Sequence, residues 1–385
     1  IGPNNSVENR EELNSNSRGA WYRLTLTFDN GDVISFRNDQ YDARNGIQSP
    51  RYYNIEGLQA NNYLLIQQVD KDNAINIFTV VETRYNPKSW MSKISDSTPI
   101  FEITMPGTHD TAAMLSSVIY QPAQTQSTTT SEQLNYGIRF LDVRAKAEPI
   151  IYQSKFVGAK LIPYHGILKE GDDIKDILDA CQTFLRDNPT ETIIMSLKNE
   201  ESGDDTFFSN TFKDGYLKNY SIIYESEDIP LIKDVRGKIV LIRRFAYSSP
   251  PALGLNLSNG WTDNNKEISI SYESVTSGRK QNFKIQDFYN TADSDEKWSA
   301  VKALLDTAKK DTGETMYINF SSAVGSGGSV PIIGDIPYPK GISIKINASL
   351  SDYFKSASTG RYGSILMDFP DMDLIRSIIA TNIQP

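Results

Sequence analysis

The chain has 385 residues, 39% of them hydrophobic and 23% charged, an ordinary globular balance with ample length to bury a core. Its net charge of −9 argues against nucleic acid as a partner and against general electrostatic docking on anionic lipid. The single cysteine, Cys181, excludes an internal disulfide and a thiolate metal cluster. No apolar run approaches the ~18 residues of a membrane-spanning helix, and Ile1–Ser6 carries neither the basic nor the apolar part of a signal peptide.

From Ala20 to Glu82 the pattern is that of strands. Trp21–Phe28 alternates and is rich in β-branched residues, Asp29–Asp32 (Asp-Asn-Gly-Asp) is a hairpin turn, and Val33–Phe36 returns. Tyr63–Gln67 and Ile75–Val81 add further short runs, so residues 1–85 read as a small antiparallel β domain. From residue 86 to 385 apolar strand-length runs alternate with helical patterns, the habit of an α/β fold. Eight candidate strands fall at 100–104, 138–143, 160–164, 192–197, 238–243, 282–287, 315–320 and 363–368, a number that suits a closed (β/α)8 barrel. The clearest helix begins near Asp173, with Ile174, Ile177, Leu178, Cys181 and Leu185 on one face, and stops at Asn188-Pro189. Cys181 on that face reads as inert core.

What ends those strands is informative. In order they run into His109, Arg144, His165, Lys198, Arg244, Asp287, Asn319–Ser321 and Asp368. The C-terminal strand ends of a barrel carry its active site. Alternation adds to this: Asp142 and Arg144 share one strand face while Leu141 and Val143 share the other. The chain has only two histidines, and both lie in tight glycine-containing turns, Pro106–Asp110 and Pro163–Gly166. A histidine pair permits one base and one acid near neutral pH. Metal ligation by two histidines and carboxylates is the other chemistry open to such residues, but H-x-H and H-x-x-H spacings are absent. Arg144, Lys198 and Arg244 at one mouth of an acidic protein point to a phosphate-bearing substrate. A nucleoside triphosphate is disfavoured because there is no G-x-x-x-x-G-K-[ST] loop, and a serine lipase because there is no G-x-S-x-G elbow.

These residues resemble a known family. Pro106–Asp110, Gly137–Arg144, Tyr164–Gly166, Phe184–Lys198, Gly237–Phe245, Ile285–Tyr289, Tyr317–Ser322 and Leu366–Asp368 are similar, in that order, to motifs of the bacterial phosphatidylinositol-specific phospholipases C. The resemblance covers residues 90–385 and implies an irregular TIM-like barrel, preceded here by a β domain it does not match. It implies a secreted monomer that meets phosphatidylinositol at the membrane surface, with glycosyl-phosphatidylinositol anchors as further substrates, and that uses neither cofactor nor metal. It also implies roles. His109 is the base for the inositol 2-hydroxyl and Asp368 orients it. His165 is the acid, supported by Asp110. Arg144 stabilises phosphoryl charge, where calcium-dependent relatives carry carboxylates. Lys198, Arg244, Asp287 and Tyr289 hold the inositol ring, Tyr289 by stacking. Trp261 falls near a ring-site tryptophan of the family, in a loop whose gaps prevent a match. Competing readings are another barrel phosphodiesterase, and a catalytically inactive barrel that binds lipid or glycan. Two apolar loops, Pro250–Leu255 and Val330–Pro339, are the expected points of membrane contact.

Overall fold

The computed structural model describes residues 85–115, 123–200, 203–325 and 339–383, together with the backbone of five strands before residue 85. It divides into two units, Ile1–Asn86 and Pro87–Pro385. In the first, β1 (Arg23–Thr27) and β2 (Val33–Arg37) pair antiparallel; the predicted Asp29–Asp32 turn between them lies outside the described residues. There β3 (Arg51–Asn54), β4 (Tyr63–Asp70) and β5 (Ile75–Glu82) make an antiparallel sheet, of which the first strand has no counterpart in the sequence reading.

The second unit contains β6 (Met105–Thr108), β7 (Phe140–Tyr152), β8 (Lys155–His165), β9 (Leu168–Lys169), β10 (Ile193–Asn199), β11 (Ile223–Tyr224), β12 (Ile239–Arg244), β13 (Leu255–Asn256), β14 (Asn265–Glu273), β15 (Lys280–Asp287), β16 (Thr315–Phe320) and β17 (Ser364–Met367). The sheet runs β11-β12-β10-β7-β6-β17-β16-β15-β14, parallel throughout except for β14. Helices α1 (Thr130–Asn135), α2 (Lys175–Asp187), α3 (Asp205–Phe212), α4 (Ile232–Val235), α5 (Ser294–Lys310) and α6 (Pro339–Lys355) come between strands in the chain, and α7 (Met372–Ala380) follows the last one. This is the irregular TIM-like barrel that was expected. Its ladder stays open, because no described hydrogen bonds join the β11–β12 side to β14 and β15.

Two strand assignments need correction. The run 100–104 is not the first strand: Ile100–Glu102 is a turn of 3-10 helix after Pro99, and the strand is Met105-Pro-Gly-Thr108. Proline and glycine obscured it. Gly107 is there because a Cβ would stand 2.8 Å from that of Phe140, so only glycine lets β6 pack this closely on β7. The run 160–164 is not a barrel strand either. It belongs to β8, which pairs antiparallel with a long extension of β7.

The core follows from the patterning. Ile177, Leu178, Cys181, Phe184 and Leu185 are the buried stripe of α2, as the 3.6-residue period predicts. Beneath the sheet, at the end away from the mouth, Arg139 is fully buried against Glu191, donating its Nε to Oε2 at 2.9 Å, its Nη1 to the carbonyls of Leu134 and Ile138 and its Nη2 to those of Pro87 and Lys88. A buried ion pair offsets its desolvation only when its donors are satisfied in this way.

Candidate active site

The C-terminal ends of the parallel strands surround a cavity of about 510 Å3. His109, Arg144, His165, Lys198, Arg244, Asp287 and Tyr289 line it, while Asp110 and Asp368 stand behind the two imidazoles. The structure thus brings all nine sequence-predicted side chains to one mouth. They arrive from β6, β7, β8, β10, β12, β15 and β17 or from the residues just beyond them. Asn319, by contrast, points away: its amide donates to the carbonyl of Val301 in α5 and it accepts from Gln286, so it holds helix to sheet.

His109 follows β6 and Asp368 follows β17, the strand paired with it. The His109 Nδ1 lies 2.8 Å from the Asp368 Oδ1, leaving Nε2 free for the cavity. Gln126 fixes the backbone by donating to the carbonyls of His109 and Met367. Burial disfavours charge on this pair. It pushes His109 well below its ordinary value, with Arg144, His165, Lys297 and Arg244 adding to the effect. It pushes Asp368 well above the usual carboxylate range, against the pull of Lys297 and Arg144.

His165 sits at the end of β8, its ring 5.8 Å from that of His109 and nearly perpendicular to it. Its Nδ1 lies 2.7 Å from the carbonyl oxygen of Ala123, and the Asp110 Oδ2 is 3.6 Å away. The backbone carbonyl, not Asp110, is therefore its hydrogen-bond partner, a point at which the geometry departs from the role implied for Asp110. Neither carboxylate oxygen of Asp110 has a hydrogen bond, and burial holds this group well above the ordinary carboxylate range against the pull of Arg144. Burial and then Arg144 bring His165 down to about 4. Both imidazoles are thus neutral near pH 7 in the unliganded protein.

The positive groups are organised by Asp142. It is fully buried, accepts the Arg144 Nε at 3.0 Å, lies 3.5 Å from the Arg244 Nη1 and receives the backbone N–H of Asp110 at 3.3 Å. Burial alone would raise its pKa, but Arg144 and Arg244 outweigh it and hold the carboxylate ionised. Arg144 is likewise driven up against burial by Asp142, Asp110, Glu200 and Asp287. Lys198 pairs with Glu200 at 2.5 Å. Trp261 lies under the Arg244 guanidinium, 3.7 Å from carbon to ring centre, and donates its Nε1 to the Asp287 Oδ2 at 2.9 Å. Tyr289 donates its hydroxyl to Asp263 at 2.9 Å. The mouth therefore holds a polar floor of cations with one aromatic wall.

Asp142, Glu200, Trp261 and the Ala123 carbonyl are parts of the site that the sequence reading did not assign. Two carried a signal: Asp142 shares the inward face of β7 with Arg144, and Glu200 continues the alternation Ser196, Lys198 along β10. Trp261 sits in a loop without periodicity, and a backbone carbonyl has no side-chain signature. Lys297 in α5 is a further surprise. It is buried, donates to the Gln286 side chain and to the carbonyl of Phe288, and burial brings it to about 7 against the pull of Asp287 and Asp368. Among the described residues, no group of three or more His, Cys, Asp or Glu side chains is disposed to hold a metal ion.

Of the two loops expected to touch membrane, Pro250–Leu255 packs at one end only: Leu253 and Leu255 are fully buried, where the segment folds back beside β12, while Pro250 and Pro251 are exposed. All of Val330–Pro339 except Pro339 lies outside the described residues.

Fold and site together define an α/β barrel whose mouth gathers two imidazoles with the cations Arg144, Lys198 and Arg244. Residues 98–230 match the family model PI-PLC X 1. The chain is 27% identical over 315 residues to 1-phosphatidylinositol phosphodiesterase of Listeria monocytogenes, covering 78% of this chain and 87% of that protein. It is 28% identical over 318 residues to the protein of the same name from Staphylococcus aureus strain Newman, covering 77% and 95%. A crystal structure of phosphatidylinositol-specific phospholipase C from Staphylococcus aureus superposes with a TM-score of 0.64 at 27% identity, over 78% of this chain and 98% of that one. The corresponding Listeria monocytogenes structure gives a TM-score of 0.60 at 25% identity, over 77% and 99%. The chain carries a PI-PLC X domain, and its barrel is of the bacterial phosphatidylinositol-specific phospholipase C kind.

Proposed function

We propose that this chain cleaves phosphatidylinositol to diacylglycerol and inositol 1,2-cyclic phosphate, and then slowly hydrolyses the cyclic ester to inositol 1-phosphate. In the first step the His109 Nε2 takes the proton of the inositol 2-hydroxyl, and that oxygen forms a bond to phosphorus. The bond from phosphorus to the diacylglycerol oxygen breaks, and His165 gives that oxygen a proton. Water reverses the roles in the second step. The nucleophile belongs to the substrate, so attack is intramolecular, and effective molarities of ~10⁵ M or more are within reach of well-placed groups. Arg144 meets the phosphoryl oxygens, and Lys198, Arg244, Asp287 and Tyr289 hold the inositol hydroxyls, with Trp261 as an added wall.

The observation that carries this reading is the pair of perpendicular imidazoles, 5.8 Å apart across one cavity that Arg144 also lines. That separation suits a phosphoryl group flanked by one base and one acid, each contributing on the order of 10²–10⁴-fold. The names of the relatives supply the substrate. A preorganised guanidinium at the phosphoryl group does electrostatically what a divalent ion does elsewhere, and its charge opposes a cation beside it, which supports a metal-independent reaction. The proposal takes the chain to act as a monomer, as the resemblance implies. The proposal extends to glycosyl-phosphatidylinositol anchors, which present the same inositol phosphodiester, and to action outside the cell, both implied by the resemblance. Release of an anchored surface enzyme from intact cells tests these two together.

Phosphorus NMR at early times is the main experiment. The cyclic phosphate is expected first and inositol 1-phosphate later, with turnover intact in chelator and nearly abolished, in folded protein, by His109→Ala and by His165→Ala. Direct appearance of inositol 1-phosphate would refute intramolecular attack.

A further inference from the structure

β7 does not stop at the barrel mouth. It passes Arg144, makes its last pairing with β10 at Ala145, and continues to Tyr152, from which β8 returns to His165. Eight residues at ~3.3 Å each carry the tip on the order of 25 Å beyond Arg144. Because β7 is parallel to its barrel neighbours, that length leaves from the end that bears the cavity, obliquely, as barrel strands are inclined by ~36°. Gln153 and Ser154 close the tip at φ 47° and 61°, the left-handed pair that fits a two-residue hairpin turn.

Every residue from 149 to 157 is exposed, yet the segment is apolar. Ile151 is 57% accessible, Tyr152 65%, Phe156 63% and Val157 58%. Ile151 and Phe156 face each other across the strands, and the register shift next to them makes Val157 the extra residue of a bulge. Hairpins that stay in water blunt such arms with charge; here Lys155 is the one charged residue of the tip. A second exposed apolar side chain, Ile167 (82% accessible), follows Gly166 at the rim of the cavity itself. Between residues 145 and 164 three lysines (Lys146, Lys155, Lys160) face one acid (Glu148), a net +2 in a chain of −9.

We propose that the β7–β8 hairpin is the bilayer-docking element of this chain, its apolar tip entering the headgroup boundary of an anionic membrane and Ile167 marking the second point of contact. The inference rests on the phosphodiesterase reading for its purpose. Continuity with the site identifies the occupant. The two strands that reach the tip also carry Arg144 and His165, so a membrane held by the tip is held at a fixed reach from the cavity that must accept its headgroups. Charge agrees: the locally positive arm is drawn to an anionic bilayer, whereas two copies of it repel. Tyrosine and aliphatic side chains beside lysine are the composition that settles at a lipid–water boundary.

The test uses the full chain and the variant Ile151→Ser/Phe156→Ser, with phosphatidylcholine vesicles containing a minority of phosphatidylglycerol, an anionic lipid without inositol. Vesicle affinity by sedimentation is expected to fall on the order of tenfold or more, given the apolar area removed. Cleavage of a monomeric, water-soluble inositol phosphodiester is expected to stay within about twofold of wild type. A second variant, Tyr152→Trp, covers the case in which the serine pair unfolds the hairpin: its added emission should shift to the blue on vesicles. Unchanged vesicle affinity, or no blue shift, overturns the proposal. So does a wild-type dimer that the serine pair dissolves while vesicle binding persists, since the hairpin would then serve self-association. Loss of vesicle binding in a protein whose wild type cleaves no inositol phosphodiester would support the docking element and refute the enzymatic reading instead.

Discussion

Asp142→Asn tests the electrostatic design of the mouth. The carboxylate is fully buried between two guanidiniums, 3.0 Å from the Arg144 Nε and 3.5 Å from the Arg244 Nη1. The amide keeps the volume and one acceptor oxygen but removes the negative charge that lies between the two. Removing one partner of a buried pair costs about 3–5 kcal/mol. The retained acceptor places this variant near the lower figure, a fall in Tm of roughly 5–10 °C for a unit of this size. Arg144 would then lose its fixed aim, and losing one preorganised donor to a developing charge costs on the order of 10²-fold in turnover. Circular-dichroism melts and turnover of a monomeric inositol phosphodiester, well below the Tm of the variant, measure the two effects. Adding Arg244→Ala should cost less stability in the variant than in the wild type, because it removes a cation that has already lost its partner. Wild-type melting and turnover in Asp142→Asn would refute the reasoning, and strict additivity with Arg244→Ala would refute the shared clamp.

With only two histidines, proton NMR reads each imidazole directly. His165 should titrate near 4 in the free protein, and an added inositol phosphate should raise it by offsetting Arg144; an unmoved resonance counts against Arg144 as the phosphate partner. Because the unfolded value is ~6.5, the unfolded chain binds the extra proton first as pH falls, so this group's contribution is present above pH 6.5 and is lost between about 6.5 and 4, at most roughly 3 kcal/mol. Denaturant midpoints across that window check the sign. Asp368→Asn should lower turnover on the order of 10²–10⁴-fold, since an amide can donate to the His109 Nδ1 and impose the wrong tautomer; near-normal turnover would remove Asp368 from the mechanism. Trp261→Ala, which removes the wall under Arg244, should raise KM about tenfold with a smaller effect on kcat, and an unchanged KM would make that wall structural. Burial pushes the Cys181 thiol far up, so a thiol reagent should label it only as the protein unfolds.

Residues that announce themselves by period were legible in the sequence. Alternation along Leu141–Arg144 put Asp142 and Arg144 on the inward face, and the stripe Ile177, Leu178, Cys181, Leu185 gave α2 its buried side. The strand-end positions of His109, Arg144, His165, Lys198, Arg244, Asp287 and Asp368 were also readable, because a charged or imidazole group after an apolar run is a local signal; Asp110 and Tyr289 came only from the resemblance. What stayed hidden depends on pairing between distant segments. Met105–Thr108 is a strand only because β7 and β17 flank it, and its Pro106 and Gly107 argue locally for a turn. The segment 160–164 has the composition of a barrel strand, but the extension of β7 captures it as an antiparallel arm. β14, which closes one edge of the sheet against β15, went unread for the same reason. The Ala123 carbonyl cannot be read from composition at all.

The unequal partners of the two imidazoles bear on which is base and which is acid. His109 faces the Asp368 carboxyl directly at 2.8 Å, so a proton accepted at its Nε2 creates an imidazolium beside a group able to take the opposite charge. His165 faces a neutral carbonyl, and Asp110 stands off at 3.6 Å without a hydrogen bond. Its cation gains less from its partner, and a less stabilised imidazolium gives up its proton more readily, which suits the group that must protonate a leaving alkoxide. The cost is that His165 needs help to acquire that proton near pH 7. An anionic phosphodiester beside Arg144 supplies it, because the same negative charge that Arg144 binds offsets one of the main influences that lower His165. The acid is then charged when the substrate is in place and neutral when the cavity is empty, and Asp110 is close enough to favour the charged form without holding it. Asp110→Asn should therefore depress turnover less than Asp368→Asn and steepen its loss on the alkaline side. An Asp110→Asn variant as damaged as Asp368→Asn, with an unaltered pH profile, would mean that the carboxylate positions His165 and does not tune it.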